Sequence, residues 1–502
     1  MSPEARAAVD ILNRLAWELQ RREQTTRKRL DYFKGHHKLA YASPEFQNYF
    51  GSRFVGFSDN WTAPVASAPS ERMNVLGIRI DSDDRQADKD LTRAWRSADC
   101  ERGSSEAFVV TLAAARSYCL VWGNPLDEDT PRVTWERPDQ AIVAYDTDTG
   151  ERAAALKLWR DDTLEYATLY MPDFVWKFSR AAYARSGYTV AGLIVPTEGT
   201  VRNTTVGGWE PRQGMRDDTW PIPNPLGVVP MVEHRNQTLL DDDPLSDIDG
   251  VIAMQDAVNL IWAYLLNALD FASLPQRVVI GAEVPKMPVL DNNGQIVGER
   301  PIDLDQLQQD RILWLTGQAQ IASWPSADLA VYSNVIERAI EHIAAQTRTP
   351  PHYLIGKVAN LSAEALTAAE TGLVSKTGER IVYCNPSIRE DFALIAAAQG
   401  DDAKAKACRS GTVMWADTQF RALGQKVDAL LKLKSMGMPL RWIAEQYGLE
   451  PPEVDRVMEM IQDEADMDPV NAILNGKPGQ PTGIPVAQPG EDPFAVAPEP
   501  IG

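Results

Sequence analysis

The sequence predicts an α+β protein, predominantly helical, and three observations carry that prediction. Apolar residues recur at three-to-four spacing near the N-terminus, within residues 246 to 347 and through the C-terminal part of the chain. Short β-branched and aromatic runs separated by turn residues fill residues 106 to 180. Two long helical patterns bracket a strand-and-turn stretch between them. With 502 residues, 44% hydrophobic and 24% charged, the chain buries a sizeable core and divides into two or more substructures.

Residues 4 to 31 place Val9, Ile11, Leu12, Leu15, Leu19 and Leu30 on one helical face, with charges between them. The strings AFVVTLAA, YCLVWG, AIVAYDT, ALKLWRDD, YATLYMPD and FVWKFS then read as antiparallel strands, with turns at Asp146 to Gly150 and at Arg160 to Asp162. Residues 196 to 245 are rich in Pro, Gly, Asn and Asp and are expected to be irregular. Ser246 or Asp247 is positioned to cap a helix over residues 246 to 272, whose apolar positions include Val251, Val258, Trp262 and Leu269. Such a helix is about 40 Å long. Strand character returns in RVVIGAEV, ILWLTG and QIASWP around the turn Asp291 to Gly294. A second helix is expected from Ala327 to Thr347, stopped by Pro350 and Pro351. Ser362 opens an alanine-rich helical region to Gln399, which Asn385-Pro386 is expected to kink or break. Three shorter helices follow: Thr418 to Met436, Leu440 to Tyr447 and Pro452 to Asp466. The Pro- and Gly-rich residues from about Asn475 are expected to be disordered.

The formal net charge is −20, and such a surface repels phosphate, so any contact with DNA has to be local or weak. The stretch Arg21 to Lys38 is the basic exception, and charge runs of this kind are ordinarily solvated helix faces. The apolar stretches Ala107 to Ala115 and Leu260 to Leu269 are short or interrupted against the roughly 20 residues that a bilayer span requires, so no membrane contact is expected. The N-terminus lacks the pattern of an export signal. Cys100, Cys119, Cys384 and Cys408 lie far apart, which suits small core residues in a reducing compartment.

Motifs for catalysis are missing. There is no G-x-x-x-x-G-K-[ST] phosphate loop, and Lys376-Thr377-Gly378 lacks the companion motifs of the penicillin-binding signature. The five histidines (His36, His37, His234, His342, His352) show no metal-ligand spacing, and acidic runs at Asp81 to Asp84 and Asp241 to Asp243 read as solvated turns. No catalytic residue, metal or cofactor is therefore assigned. LRWIAEQYGLEPPEVDRVMEM has the form of a helix-turn-helix, but Glu453, Asp455, Glu459, Asp463 and Glu464 against Arg456 give its second helix the wrong sign for DNA.

Several strings, in order, carry a family resemblance: YFKGHHKL (32 to 39), TLYMPDFVWKF (168 to 178), NPLGVVPMVEHRNQ (224 to 237), residues 246 to 281, LSAEALTAAETGLVSKTGER (361 to 380) and residues 413 to 457. Together they resemble the portal proteins of tailed bacteriophages, the Gp6-like siphophage family, over roughly Leu30 to Met467. The resemblance implies the portal fold: residues 1-245 as N-terminal helix and β-rich wing, 246-273 as first stem helix, 274-326 as clip and 327-348 as second stem helix. It further implies 349-361 as tunnel loop, 362-411 as the wing's long helical region and 412-470 as helical crown, followed by a tail at 471-502. Pro386 departs from the continuous wing helix usual in the family.

The function implied is a head-to-tail connector without enzymatic activity, a homo-oligomeric ring of twelve copies through which double-stranded DNA is packaged and ejected. The implied partners are the terminase large subunit, the head-to-tail adaptor, and the major capsid and scaffolding proteins. The implied location is the portal vertex of the virion, with the host cytoplasm before assembly. Lys357, Val358, Ala359 and Asn360 would form the DNA tunnel loop. Asp249, Asp256, Glu337 and Glu341 would belong to the stem and channel, beside Asp247 and Asp270. The rival reading is a cytoplasmic hydrolase using paired carboxylates or a metal held by the acidic turns.

Overall fold

A computed structural model of the chain describes residues 2–37, 39–54, 57–80, 86–127, 129–161, 164–181, 187–190, 193–196, 208–212, 220–240, 243–273, 277–280, 286–290, 295–301, 312–315, 320–323, 328–355, 363–419, 423–447, 449 and 451–467. The chain divides into two units, Met1–Phe420 and Arg421–Gly502.

The first unit opens with helix α1 (Pro3–Phe33), which starts where Pro3 supplies a preset φ and Ser2 Oγ accepts from Ala5 N–H at 3.2 Å. Its apolar face, Leu12, Leu15 and Leu19, packs on one side of an antiparallel sheet, against Ile142, Leu156, Leu169, Trp176 and Phe178. That sheet consists of β4 (Ala141–Tyr145), β5 (Arg152–Arg160), β6 (Leu164–Tyr170), β7 (Phe174–Ala181), β10 (Glu210–Pro211) and β11 (Ile222–Pro223), the separate antiparallel pair β8 (Gly187–Val190) and β9 (Leu193–Pro196) falling between β7 and β10 in the chain. The turn at 146 to 150 closes around Asp146, whose Oδ1 accepts from the N–H groups of Asp148 and Thr149, both at 2.9 Å. Part of the opposite face is covered by β2 (Arg116–Trp122), β3 (Arg132–Glu136) and β12 (Met231–Arg235), a second sheet in the order β12-β2-β3.

The largest core gathers helices α3 (Thr62–Ser70), α4 (Lys89–Ser97) and α5 (Cys100–Ala114) and the pair β1 (Val75–Arg79) with β18 (Thr412–Trp415). It also holds α6 (Ile252–Ser273), α7 (Leu329–Thr347) and the 36-residue α9 (Ala363–Ala398). Between α6 and α7 lie β13 (Arg277–Ile280), β14 (Lys286–Leu290), β15 (Ile296–Pro301), β16 (Ile312–Leu315) and β17 (Gln320–Ser323). Strand β13 pairs parallel with β16 and antiparallel with β17, and β14 pairs with β15. Short helices α2 (Pro44–Arg53), α8 (Pro351–Ile355) and α10 (Asp402–Ser410) complete the elements used below.

Four expectations from the sequence are corrected. AFVVTLAA is not a strand but the second half of α5: Gly103, Ser104, Ala107, Phe108, Thr111 and Leu112 are buried at helical spacing. Gly103 is required there, because a Cβ would lie 2.2 Å from the Trp135 ring. Within the stretch expected to be irregular, Met231–Arg235 pairs with β2 along its whole length and is buried on both faces, a pattern that period-two alternation cannot reveal. Pro386 neither breaks nor ends α9; Cys384 before it and Ile388, Phe392 and Ile395 after it are buried. Burial of such side chains is worth about 1.5–3 kcal/mol each, against about 3 kcal/mol for an internal proline. Finally, Thr412–Trp415 is a strand paired with β1 inside the first unit, so the second unit begins only at Arg421.

The second unit contains α11 (Leu423–Ser435), α12 (Leu440–Tyr447) and α13 (Pro451–Met467), with Ile443, Ala444 and Val454 buried and Arg441 paired with Asp455. Residues 471 to 502, expected to form a tail, lie outside the described residues.

Candidate functional site

The two long helices that bracket the β insert pack on each other through Ile336, Ile340 and Ile343 of α7 and Val258 and Leu265 of α6, all in one core. Asp328 caps α7, its Oδ1 accepting from Ala330 N–H at 3.0 Å. At the other end Gln346 Nε2 donates to Gly250 O at 2.9 Å, and a Cβ on Gly250 would stand 2.9 Å from that nitrogen. Helix α7 has three faces. Ile336, Ala339, Ile340 and Ile343 are buried; Glu337 and Glu341 are exposed; and Val331 and Val335, on a third side, are 55% and 45% exposed.

The acidic residues of α6 are placed differently. Asp249, in the 3₁₀ turn Asp249–Val251 that precedes α6, receives Arg29 in a two-pronged pair, Nε to Oδ1 at 2.9 Å and Nη2 to Oδ2 at 2.6 Å. Asp256 is buried and accepts from the Tyr32 hydroxyl at 2.6 Å; burial raises its pKa, the Tyr32 bond opposing that rise. Gln255 donates to Asp59 O at 2.6 Å, and Asn259 Nδ2 lies 2.9 Å from His37 Nδ1. By length and composition Asp249–Leu269 is apolar enough to cross a membrane, which the sequence reading did not allow for. Here Asp249, Gln255, Asp256 and Asn259 of that stretch are engaged by α1 and the segment after it.

A buried ionic junction ties the start of α6 to α9 and, through α9, to the end of α7. Asp247, expected as a helix cap, instead lies 3.0 Å from Lys376 Nζ and 3.0 Å from Arg380 Nε, with all three side chains at most 5% exposed. Arg348, the residue after α7, pairs with Glu379 at 2.8 Å. Lys376 also donates to Val65 O at 3.1 Å; burial lowers its pKa, and Asp247 opposes that fall. A polar cavity of about 200 Å³ at this junction is lined by Asp247, Gly250, Gln346, Arg348, Lys376 and Arg380 among others. Lys376-Thr377-Gly378 is thus structural. The chain between α8 and α9 carries Lys357, Val358, Ala359 and Asn360, which lie outside the described residues; Pro351–Ile355, within the stretch expected to be loop, is helical. Asp270's side chain and the acidic runs at 81–84 and 241–242 also fall outside them.

One constellation escaped the sequence search. Ser387 Oγ lies 2.8 Å from His234 Nδ1, and His234 Nε2 lies 3.0 Å from Asp391 Oδ2. Ser387 and Asp391 are one turn apart on α9 and His234 is on β12, so nothing local in the sequence joins them. The order of residues imitates a hydrolytic triad, but His234 and Asp391 are 0% exposed and Ser387 is 8% exposed, which leaves a substrate no approach. Ser387 also donates to Cys384 O at 2.9 Å, a bond within its own helix. The four cysteines are buried, and burial pushes the Cys384 and Cys408 thiols up to about 12, far from thiolate chemistry at neutral pH. Among the described residues no group of three or more His, Cys, Asp or Glu side chains is arranged to hold a metal ion.

Comparison with known proteins agrees with a structural site and lends the hydrolase reading no support. The profile of the family described as "Phage portal protein, SPP1 Gp6-like" matches residues 13–469. The portal protein of Mycobacterium phage D29 is 23% identical over 418 residues, 79% of this chain and 77% of the relative. That of Mycobacterium phage L5 is 24% identical over 399 residues, 76% and 73% of the two chains. A solved structure titled "Neck of empty GTA particle computed with C6 symmetry" contains a chain that aligns with a TM-score of 0.41 at 14% identity, over 82% of this chain and 95% of the other. The match to the family takes in α6, the β insert, α7 and α9 within residues 13–469, and on that ground this chain belongs to the SPP1 Gp6-like family of phage portal proteins.

Proposed function

We propose that this chain is a portal subunit: copies of it form a ring at one capsid vertex, and double-stranded DNA passes through the ring during packaging and ejection. The observation that supports this reading is the family match over residues 13–469, which takes in both long helices and the insert between them. In the finer reading, residues 246-273 and 327-348 are the stem, 274-326 the clip and the helical part of 412-470, from residue 421 on, the crown, and twelve copies close the ring. The clip docks the terminase large subunit and later the head-to-tail adaptor, while other surfaces meet the major capsid and scaffolding proteins. The subunit gathers in the host cytoplasm before it enters the virion.

A conduit for DNA of any sequence works best when it does not bind phosphate tightly, and a net charge of −20 avoids the counterion-release affinity that would stall movement. In this reading Glu337 and Glu341 face the bore, as the exposed acids of α7. Asp249 and Asp256 act from behind, holding α6 to α1 through Arg29 and Tyr32. Lys357 to Asn360 form the loop that touches passing DNA. Electron microscopy and native mass measurement of the purified chain test the proposal. A hollow ring is expected, and a monomer with metal-dependent hydrolytic turnover would replace this reading with the rival one.

A further inference from the structure

Helix α1 buries one face on the sheet and turns the opposite ridge outward, and that ridge does not look like the rest of the molecule. Arg6, Arg14, Arg21 and Lys28 lie along it, exposed, and Arg14, Arg21 and Lys28 recur every seventh residue, about 10 Å apart on a helix. Trp17 sits among them, 62% exposed, with the Arg21 guanidinium 5.7 Å from its ring centre. The other basic residues of the second half of α1 are already engaged: Arg22 with Glu18, Arg27 with Glu23 and Arg29 with Asp249. By contrast, among the described residues no carboxylate stands within ion-pair distance of Arg6, Arg14, Arg21 or Lys28, and Asp10 is the one acid on the ridge. Lys28 Nζ lies 5.7 Å from the Tyr32 ring centre, so a cationic row held by aromatic rings but by no carboxylate, with an exposed indole in it, has been kept on a chain whose net charge is −20.

We propose that this ridge is one half of the contact between neighbouring copies of the chain, receiving an acidic face of the next subunit. The inference rests on the ring reading above and assigns it a surface. Copies that each carry −20 repel one another, and a ring closes through two different faces of each subunit, so a cationic face that meets an acidic one both offsets the repulsion and sets the register. Duplex DNA is the competing occupant. It would use the cations, but its phosphates gain nothing from Trp17, whereas Trp and Arg are the side chains that carry most of the binding energy in protein interfaces.

The test compares the full wild-type chain with Arg14→Glu/Arg21→Glu/Lys28→Glu and with Trp17→Ala, by native mass measurement and negative-stain imaging across protein concentration and salt. Unchanged circular dichroism and melting temperature confirm that the variants are folded, as expected for exposed positions. The concentration for half-assembly should rise by at least about tenfold for either variant, and the wild-type rings should weaken as salt rises past ~0.1 M. Triple-variant rings that form as readily as wild type overturn the inference while leaving the ring reading intact. Wild-type protein that stays monomeric overturns both. Intact variant rings that lose affinity for a labelled duplex of about 30 base pairs assign the ridge to DNA instead.

Discussion

Single residues in this protein are informative where charge is buried. Glu233, at the centre of β12, has its side chain fully buried, yet it is held by Arg116 (3.0 Å), Arg235 (2.7 Å) and the Tyr118 hydroxyl (3.1 Å). Burial alone would raise its pKa; Arg235 and Arg116 outweigh burial, and the net direction is downward. Its contribution to stability is therefore complete above about 4.5, its ordinary value, and is lost as pH falls through the lower value of the folded state. Glu233→Gln should cost about 3–5 kcal/mol at pH 7 by removing the carboxylate that holds Arg235 and leaving Arg116 to Asp243 at the more exposed end of its guanidinium. It should also flatten the acid limb of a stability-versus-pH curve, and an unchanged limb in urea titrations would show that another carboxylate controls it. Asp247→Asn removes the carboxylate from buried Lys376, leaves Arg380 the looser pair with Glu379 at 3.4 Å, and should cost a similar amount. Adding Lys376→Met should recover part of that loss in the same melts; no recovery would mean that packing, not unpaired charge, sets the cost. The sequence offered Asp247 as a cap or as an acid beside the channel and not as half of a buried ion pair, because both of its cationic partners lie more than a hundred residues away.

At the scale of elements, helix and strand followed their local patterns except where burial was two-sided or interrupted. Helices α1, α6, α7, α12 and α13 stand close to where apolar spacing and capping residues put them. The six short strands β2 to β7 were found except β3, whose RVTWE has one buried end and an otherwise partly exposed face. Pro386 shows the limit of a local rule: its ring is exposed, it forfeits one N–H bond to the Val382 carbonyl, and the buried residues on either side keep α9 helical through it. Pro386→Ala should accordingly raise thermal stability by up to about 3 kcal/mol. A lowered melting temperature would mean instead that the proline ring itself helps fit α9 to its surroundings.

For the molecule as a whole, the prediction concerns the segment between α8 and α9. Replacing Lys357 to Asn360 by a short glycine linker should leave ring assembly unchanged, because α6, α7 and α9 are held in one core by their own buried side chains, Val258, Ile340, Ile343 and Ile388 among them. DNA packaging or retention should fall. Normal packaging of full-length genomes by rings carrying the linker would remove the tunnel-loop assignment. The same scale explains why the chain does not resemble a DNA-binding protein in composition. A conduit is served by low affinity along its wall, and its surplus of 70 acidic over 50 basic residues is consistent with that.

By itself the sequence determined the class of fold, the order of helix, β insert and helix, the burial of the cysteines and the family, because these rest on periodicity and on the order of motifs along the chain. Only the tertiary structure decided which acids are available to a channel: Asp249 and Asp256 read like Glu337 and Glu341, but the first pair is bound by Arg29 and Tyr32 from α1, 220 or more residues away. It also exposed the buried Ser387, His234 and Asp391 arrangement as core and the outward ridge of α1 as cations without a carboxylate partner. The physical reason is common to all of these. Local spacing sets which side of a helix is apolar, whereas the partner that buries or neutralises a charge comes from elsewhere in the chain and is chosen only when the elements pack.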